Sequence, residues 1–511
     1  MFQGIRARSL ALAVLVASAP ALVSLSAVPS EEPPCGIAPR AKPKRIKGGE
    51  GVPPLPLPAT PLRRTERKRD PSPPLLVGKL RWGRRDLVWK LPDGTERPYG
   101  DWSHDPNDIH RLLEALTREI KTKYRAREMD LAGFSFDPAE TPILYATGLK
   151  AFTLTPDERN LVREYLRRGG FFMAVAHHGS REFSDSVRRE ASLLFPDRPF
   201  GLLPPDHAIY RAHTQVDRIT YTKGTQDRPE GAPCIEGLYI GCRVGMVLSP
   251  YDLCCTWDSD HLPDSYPGIA GREAFALGVN ILSYAIAYYP LGKFYGQWGL
   301  VEMEDQDVER GDFVFAQVRH SGHHDPHPAA FASLLKDVMK GTSIGARFRR
   351  KVVSLASPEL SSCPFLCMTG HDDFRLSDDE REGLRKFLAA GGFLLADSCC
   401  GNIAFGLAFR REMARVLPDS KLEVLGASHP VFSSFETIAG VEYTTAVRAS
   451  FPELKGPFIE GIEIDGSLRV AYSRFDLGNG WDGEDRPFSL GWMPADARRM
   501  AVNIILYCMT H

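Results

Sequence analysis

Two tandem doubly wound α/β domains, each with a central, mostly parallel sheet, are what this 511-residue sequence predicts. Three observations lead there. Residues 143–210 match 365–432 without a gap at an offset of 222, and 23 of the 68 columns are identical. A period this long marks duplicated globular domains and not a solenoid. Within each copy, short apolar runs alternate with segments of helical spacing, the pattern of a parallel sheet covered on both faces. Runs such as 393–396 are apolar at nearly every position, as strands buried on both faces require.

The second copy shows the elements in order. Residues 313–319 read as a strand, and 328–339 carry helical spacing in Phe331, Leu334, Leu335 and Val338. Short apolar strands follow at 352–355 and 365–368, after which Thr369-Gly370 turns the chain out. Ser377 with Glu380 is a capping box that opens a helix over 378–389, and Gly391-Gly392 closes it. A strand at 393–396, a helix over 403–416, a strand at 469–473 and a helix over 495–509 complete the copy. In the first copy, 82–102 reads as an added hairpin.

The repeat extends outward with small gaps. Asp105-Pro106 pairs with Asp325-Pro326, Tyr251-Asp252-Leu253 with Phe475-Asp476-Leu477, and Val279-Asn280 with Val502-Asn503. The domains are placed at 75–294 and 295–511.

The rest of the chain is of other material. Residues 1–27 read as a cleaved export signal: Arg6 and Arg8, then an apolar stretch shorter than a membrane span, then small residues. An uncleaved anchor is the alternative. Residues 28–74 are a Pro-rich, basic, disordered linker, expected as an extended, solvated tether, with weak contact of its cations to an anionic envelope surface as the alternative. The overall net charge of −1 excludes a strongly basic nucleic-acid binder, and no apolar run in the mature chain is long enough to span a membrane. An exported, periplasmic or extracellular protein is expected.

The run 365–370, Leu376-Ser377-Asp378-Asp379-Glu380, Leu388-Ala389-Ala390-Gly391-Gly392-Phe393, Pro418-Asp419, His429-Pro430-Val431-Phe432 and Val502-Asn503 resembles the DUF4159 domain, a bacterial family of unknown function. The second copy is closer to the family pattern than the first. The resemblance implies a flavodoxin-like sheet akin to class I glutamine amidotransferases, with no established activity.

Ligands of open α/β sheets bind beyond the carboxyl ends of the strands. Three loops of the second copy qualify, carrying His371-Asp372-Asp373, Asp397-Ser398-Cys399-Cys400 and His429-Pro430. Amidotransferases place a nucleophilic Cys on a strand-to-helix elbow, which makes Cys399 or Cys400 the candidate nucleophile and His371 or His429 its base. The Gly-x-Cys-x-Gly pattern and a His-x-Glu pair are absent, and Asp397 stands close before the thiols. Asp372, Asp373, Asp397 and Ser398, with His177, His178 and His207 of the first copy, complete the ligand rim. No cofactor is predicted outright, although these ligand types admit a divalent metal. His207 and His429 also fit a structural part, each orienting a turn. The cluster His320, His323, His324 and His327 reads as solvated loop residues, and Gly478-Asn479-Gly480 as a turn. One or two disulfides are expected among the ten Cys, and Cys363 and Cys367 read as facing the same way along a strand. The function expected is a non-catalytic module binding an envelope protein or small ligand. A Cys-dependent hydrolase or amidase and a metal-binding module are the alternatives, with any activity expected in the second copy.

Overall fold

The computed structural model describes residues 73–511, apart from 91–92, 227–230, 233, 270, 299–312, 328–329, 342–347 and 484–485. The expected export signal and nearly all of the linker lie outside the described residues.

The first domain runs β1 (Leu75–Leu80), β2 (Leu87–Lys90), β3 (Glu96–Tyr99), α1 (Asp108–Ile120), β4 (Arg125–Met129), β5 (Ile143–Gly148), α2 (Pro156–Arg167), β6 (Phe171–Ala176), α3 (Arg181–Leu194), β7 (Phe200–Leu202), β8 (Glu236–Ile240), β9 (Arg243–Ser249), α4 (Cys254–Ser259) and α5 (Gly271–Trp298). The second runs β10 (Phe313–Val318), α6 (Ala330–Gly341), β11 (Phe348–Val353), β12 (Phe365–Gly370), α7 (Asp378–Ala389), β13 (Phe393–Ser398), α8 (Ile403–Val416), β14 (Glu423–Val424), α9 (Thr445–Ser450), β15 (Glu460–Ile464), β16 (Ser467–Ser473), α10 (Gly478–Asp482) and α11 (Pro494–Thr510).

Both sheets have seven strands in the same order, β4-β1-β5-β6-β9-β8-β7 and β11-β10-β12-β13-β16-β15-β14. Five strands of each are parallel, and the last two add an antiparallel edge. Numbered by sequence among themselves, the five parallel strands lie in the order 2-1-3-4-5 of flavodoxin-like sheets. The register repeats as well, with Ile143 opposite Phe171 and Phe365 opposite Phe393. Each sheet separates two apolar clusters, one under α1, α4 and α5 (α6, α10 and α11 in the second domain), the other under α2 and α3 (α7 and α8). The added hairpin is β2 paired with β3. Among the described residues no helix is long and apolar enough to cross a membrane.

Many identical columns of the repeat turn out to be clamps. Arg159 on α2 holds Glu190 on α3 at 2.6 and 3.1 Å, and Arg381 on α7 holds Glu412 on α8 at 2.9 Å. Arg188 and Arg410 carry the same helices onto Glu236 and Glu460 of the neighbouring strands. Thr155 and Ser377 close capping boxes with Glu158 and Glu380. Burial alone would raise the Glu412 carboxyl, but bonds from Arg381 and Arg411 hold it below its usual value. Its contribution to stability is therefore full above the unfolded carboxyl value of about 4.3 and is lost as pH falls through the lower folded value. Glu412→Gln should lower the melting temperature at pH 7, and calorimetry should show the gap to the parent closing on acidification to about pH 3.

Several expectations need correction. Among the described residues no cysteine is in a disulfide. Cys363 ends a 3-10 turn ahead of β12 and packs with the α7–α8 cluster, whereas Cys367 faces the α6–α11 cluster. The two thiols thus sit on opposite sides of the sheet. Gly478-Asn479-Gly480 opens α10, because the Asp476 carboxylate accepts the Asn479 N–H at 2.9 Å and Trp481 is buried beneath. His320 and His327 are buried, and burial holds His320 down to about 3.

Candidate functional site

The same device builds the rim of each sheet. The central strand β6 or β13 ends in a single 3-10 turn whose middle residue has positive φ, His178 at 51° and Cys400 at 55°. This conformation is strained for a side-chain-bearing residue. An aspartate after the neighbouring strand fastens the turn: Asp252 accepts the N–H groups of His178 and Cys255, and Asp476 those of Cys400 and Asn479. Beyond this frame the two rims diverge.

In the first domain, His177 is the hub. Its Nδ1 lies 2.8 Å from Asp105 Oδ2, 3.7 Å from Cys254 Sγ and 3.6 Å from Cys255 Sγ. Cys255 Sγ lies 3.6 Å from Asp105 Oδ2, and the Thr147 hydroxyl 3.3 Å from Cys254 Sγ. Burial alone would lower the His177 pKa, but the bonds to Asp105 and Cys255 raise it to about 10. The rings of His104, His177, His178 and Tyr266 stack in a row, with centroids 4.8, 3.9 and 3.8 Å apart. His178, half-buried, is pushed down to about 4 by burial and by the charge of His177. Behind this cluster Lys79 donates to the Asp105 carbonyl at 2.6 Å and to Asp108 Oδ1 at 2.7 Å, and the Tyr145 hydroxyl donates to Asp108 at 2.8 Å.

In the second domain the equivalent space is filled from within and from the first domain. The Arg486 guanidinium is fully buried, pairs with Asp482, and meets His327 Nδ1 at 2.9 Å. His327 Nε2 lies 3.3 Å from Asp476 Oδ1. Arg486 also donates to Cys242 Sγ, in the turn between β8 and β9. Tyr239, next to that turn, packs on the His371 ring at 4.5 Å between centroids, and the Tyr288 hydroxyl on α5 donates to the Pro487 carbonyl at 2.8 Å. The apolar cluster of the first domain accordingly runs on through Cys399, Cys400 and Phe488.

The structure brings some of the expected residues together. His371 Nδ1 lies 3.5 Å from Cys399 Sγ, and Cys399 Sγ 3.8 Å from Cys400 Sγ. Burial pushes the Cys399 thiol up to about 12 and the His371 imidazole down to about 4. Both therefore stay uncharged at neutral pH, the opposite of an activated thiolate–imidazolium pair. Asp397 does not reach the thiols as a ligand: its oxygens accept the N–H groups of Leu477 at 2.9 Å and Gly478 at 3.0 Å, and burial raises its pKa. Ser398 donates to the Asn402 carbonyl. Asp372 is raised to about 6 by burial, while exposed Asp373 pairs with Arg411.

His207 stands beside Tyr239, and His429 against Phe432 and Tyr507. Each cap accepts an N–H two residues on through Nδ1, from Ile209 and Val431, both at 3.1 Å. His429 is thereby corrected as a base for either thiol: its ring packs on Phe432 and Tyr507 and lies 3.3 Å from Glu463.

Sequence reasoning missed Asp105, Asp252, Cys254, Cys255, Lys79, Arg486 and Cys242. A signal was present for four of them. Asp105 and Asp252 lie in repeated columns, and the column pair after Asp252-Leu253 holds Cys254-Cys255 in one copy and Gly478-Asn479 in the other.

Sheet order, helices and paired rims define a tandem flavodoxin-like α/β protein whose two strand-end sites carry different residues. The chain belongs to the DUF4159 family, described as a domain of unknown function, which matches residues 92–286 and 314–509. No curated protein is significantly similar to it. Solved structures similar to the chain include a cytoplasmic protein, STM3548, from Salmonella typhimurium. It is 12% identical, with a TM-score of 0.23, and the match covers 41% of this chain and 97% of that one.

Proposed function

We propose that the chain is an exported, non-catalytic binding module whose working site is the strand-end rim of the first domain, where it takes a small ligand or a group on an envelope partner. One observation carries the choice of rim. In the second domain Arg486, Cys242 and Tyr239 occupy the space around His327, Cys400 and His371, whereas the first domain gathers carboxylate, imidazole and thiol groups with no guanidinium among them, one ring beneath the surface. That set borders the β1/β5 boundary, where strand order reverses and flavodoxin-like sheets bind their ligands. Export is supported by the charged, apolar and small-residue succession of 1–27.

The test uses the full chain produced in a bacterial host and recovered from its periplasm. The mature N-terminus is expected near residue 28. Iodoacetamide is expected to leave Cys399 and Cys400 unmodified in the native protein and to label both after unfolding. Retention of the unprocessed chain in the cytoplasm would overturn export. Rapid native labelling of either thiol would overturn the non-catalytic reading in favour of the Cys-dependent hydrolase.

A further inference from the structure

We propose that Asp105, His177, Cys254 and Cys255 are the four ligands of a tetrahedral, zinc-class divalent metal in the first domain. This deepens the binding reading above and rests on it for the choice of rim. Zinc bonds of about 2.3 Å to sulfur and 2.0–2.2 Å to nitrogen or oxygen place tetrahedral ligand atoms about 3.3–3.8 Å from one another. Both thiols stand at such separations from His177 Nδ1, 3.7 and 3.6 Å, and Cys255 Sγ stands 3.6 Å from Asp105 Oδ2. The 2.8 Å pair of His177 and Asp105 is closer. It is closed by a hydrogen bond that the metal replaces, opening the pair by about 0.5 Å.

The donor set is chemically selective. Two thiolates and an imidazole favour zinc-class ions over calcium or magnesium, which take oxygen ligands. The surroundings are those of a supported site. Asp252 holds the backbone of the ligand-bearing segments by accepting from Cys255 and His178, which leaves it an orienting group and not a ligand. Lys79 fixes the Asp105 carbonyl, and Thr147 contacts the Cys254 sulfur. His178, partly exposed, packs flat on His177, so the site lies one ring below solvent.

The second domain supplies the comparison. Its columns matching Cys254 and Cys255 are Gly478 and Asn479, and the buried Arg486 guanidinium provides a cation among His327, Asp482 and Asp476. One rim carries its cation covalently, and the other takes one from solution. Binding releases the protons of both thiols and any proton on His177, so it consumes no other reactant.

The experiment takes the full chain, reduced and metal-stripped, and adds zinc or cobalt(II). The expected result is about one metal per chain, with a thiolate-to-cobalt charge-transfer band and tetrahedral cobalt absorption. Cys399→Ser should leave binding unchanged. Cys254→Ser and Asp105→Asn, checked for folding by circular dichroism, should each weaken binding by about tenfold or more. A native chain that takes up no metal overturns the proposal whether or not the variants fold. So does stoichiometric metal in both folded variants, or a cobalt spectrum lacking thiolate bands. Alkylation of Cys399 or Cys400 judges the non-catalytic reading separately, since neither thiol belongs to this site.

Discussion

Replacing Arg486 with Met is expected to destabilise the second domain by about 3–5 kcal/mol, the usual cost of breaking a buried ion pair by removing one partner. The guanidinium is fully buried, bonded to Asp482, beside His327, and within reach of Cys242 on the first domain. Its removal takes the guanidinium charge away from Asp482 and Asp476, both buried carboxylates beside His327. Urea denaturation followed by tryptophan fluorescence measures the loss, since Trp481 and Trp492 lie in the core of this domain. The double variant Arg486→Met/Asp482→Leu should recover much of it, because replacing both charges removes the desolvation cost as well as the attraction. A single variant as stable as the parent would show that the guanidinium is not the charge that holds this rim together.

Lys79→Met is expected to cost the first domain a similar amount, about 3–5 kcal/mol. Lys79 is 2% exposed and Asp108 is fully buried, so the loss strands a carboxylate whose other bonds come from the Tyr145 hydroxyl and the Ile109 N–H. It also removes the donor that fixes the Asp105 carbonyl. The second domain shows how the position works without a charge. By sheet register Lys79 corresponds to Gln317, which donates to the His324 carbonyl, and the column matching Asp108 holds Pro328. Lys79→Gln/Asp108→Ala should therefore melt closer to the parent than Lys79→Met alone, as differential scanning calorimetry would show.

Most of the fold could be read from the sequence because its signals are local. The Ser377–Glu380 capping box and the following Gly-Gly pair bound α7, and the helix expected over 403–416 is α8 to the residue. The antiparallel edge was not legible: β15 contains Gly461 and two glutamates, and its pairing with β16 is a long-range fact. The site was legible only in part, for a reason the repeat itself explains. Comparing two copies highlights what both retain, such as Arg159–Glu190 and Arg381–Glu412 or the loop-tying amides of Asn280 and Asn503, and those residues hold the scaffold. The chemistry lies where the copies differ, at Cys254-Cys255 against Gly478-Asn479. The arrival of Cys242 beside Arg486, across 244 residues of sequence, leaves no local pattern at all.

The turn between β8 and β9 also gives the pairing of the two copies a direction. It is a head-to-tail contact: the tip of one copy enters the rim of the next, and contacts of that kind propagate into rings or filaments unless something stops them. The corresponding tip of the second copy is Asp465-Gly466, between β15 and β16, and it is exposed, charged and without a thiol. It cannot repeat the insertion of Cys242 and Tyr239 into a further rim. The contact is therefore directional, made by a thiol-bearing turn of the first copy and a guanidinium-bearing rim of the second.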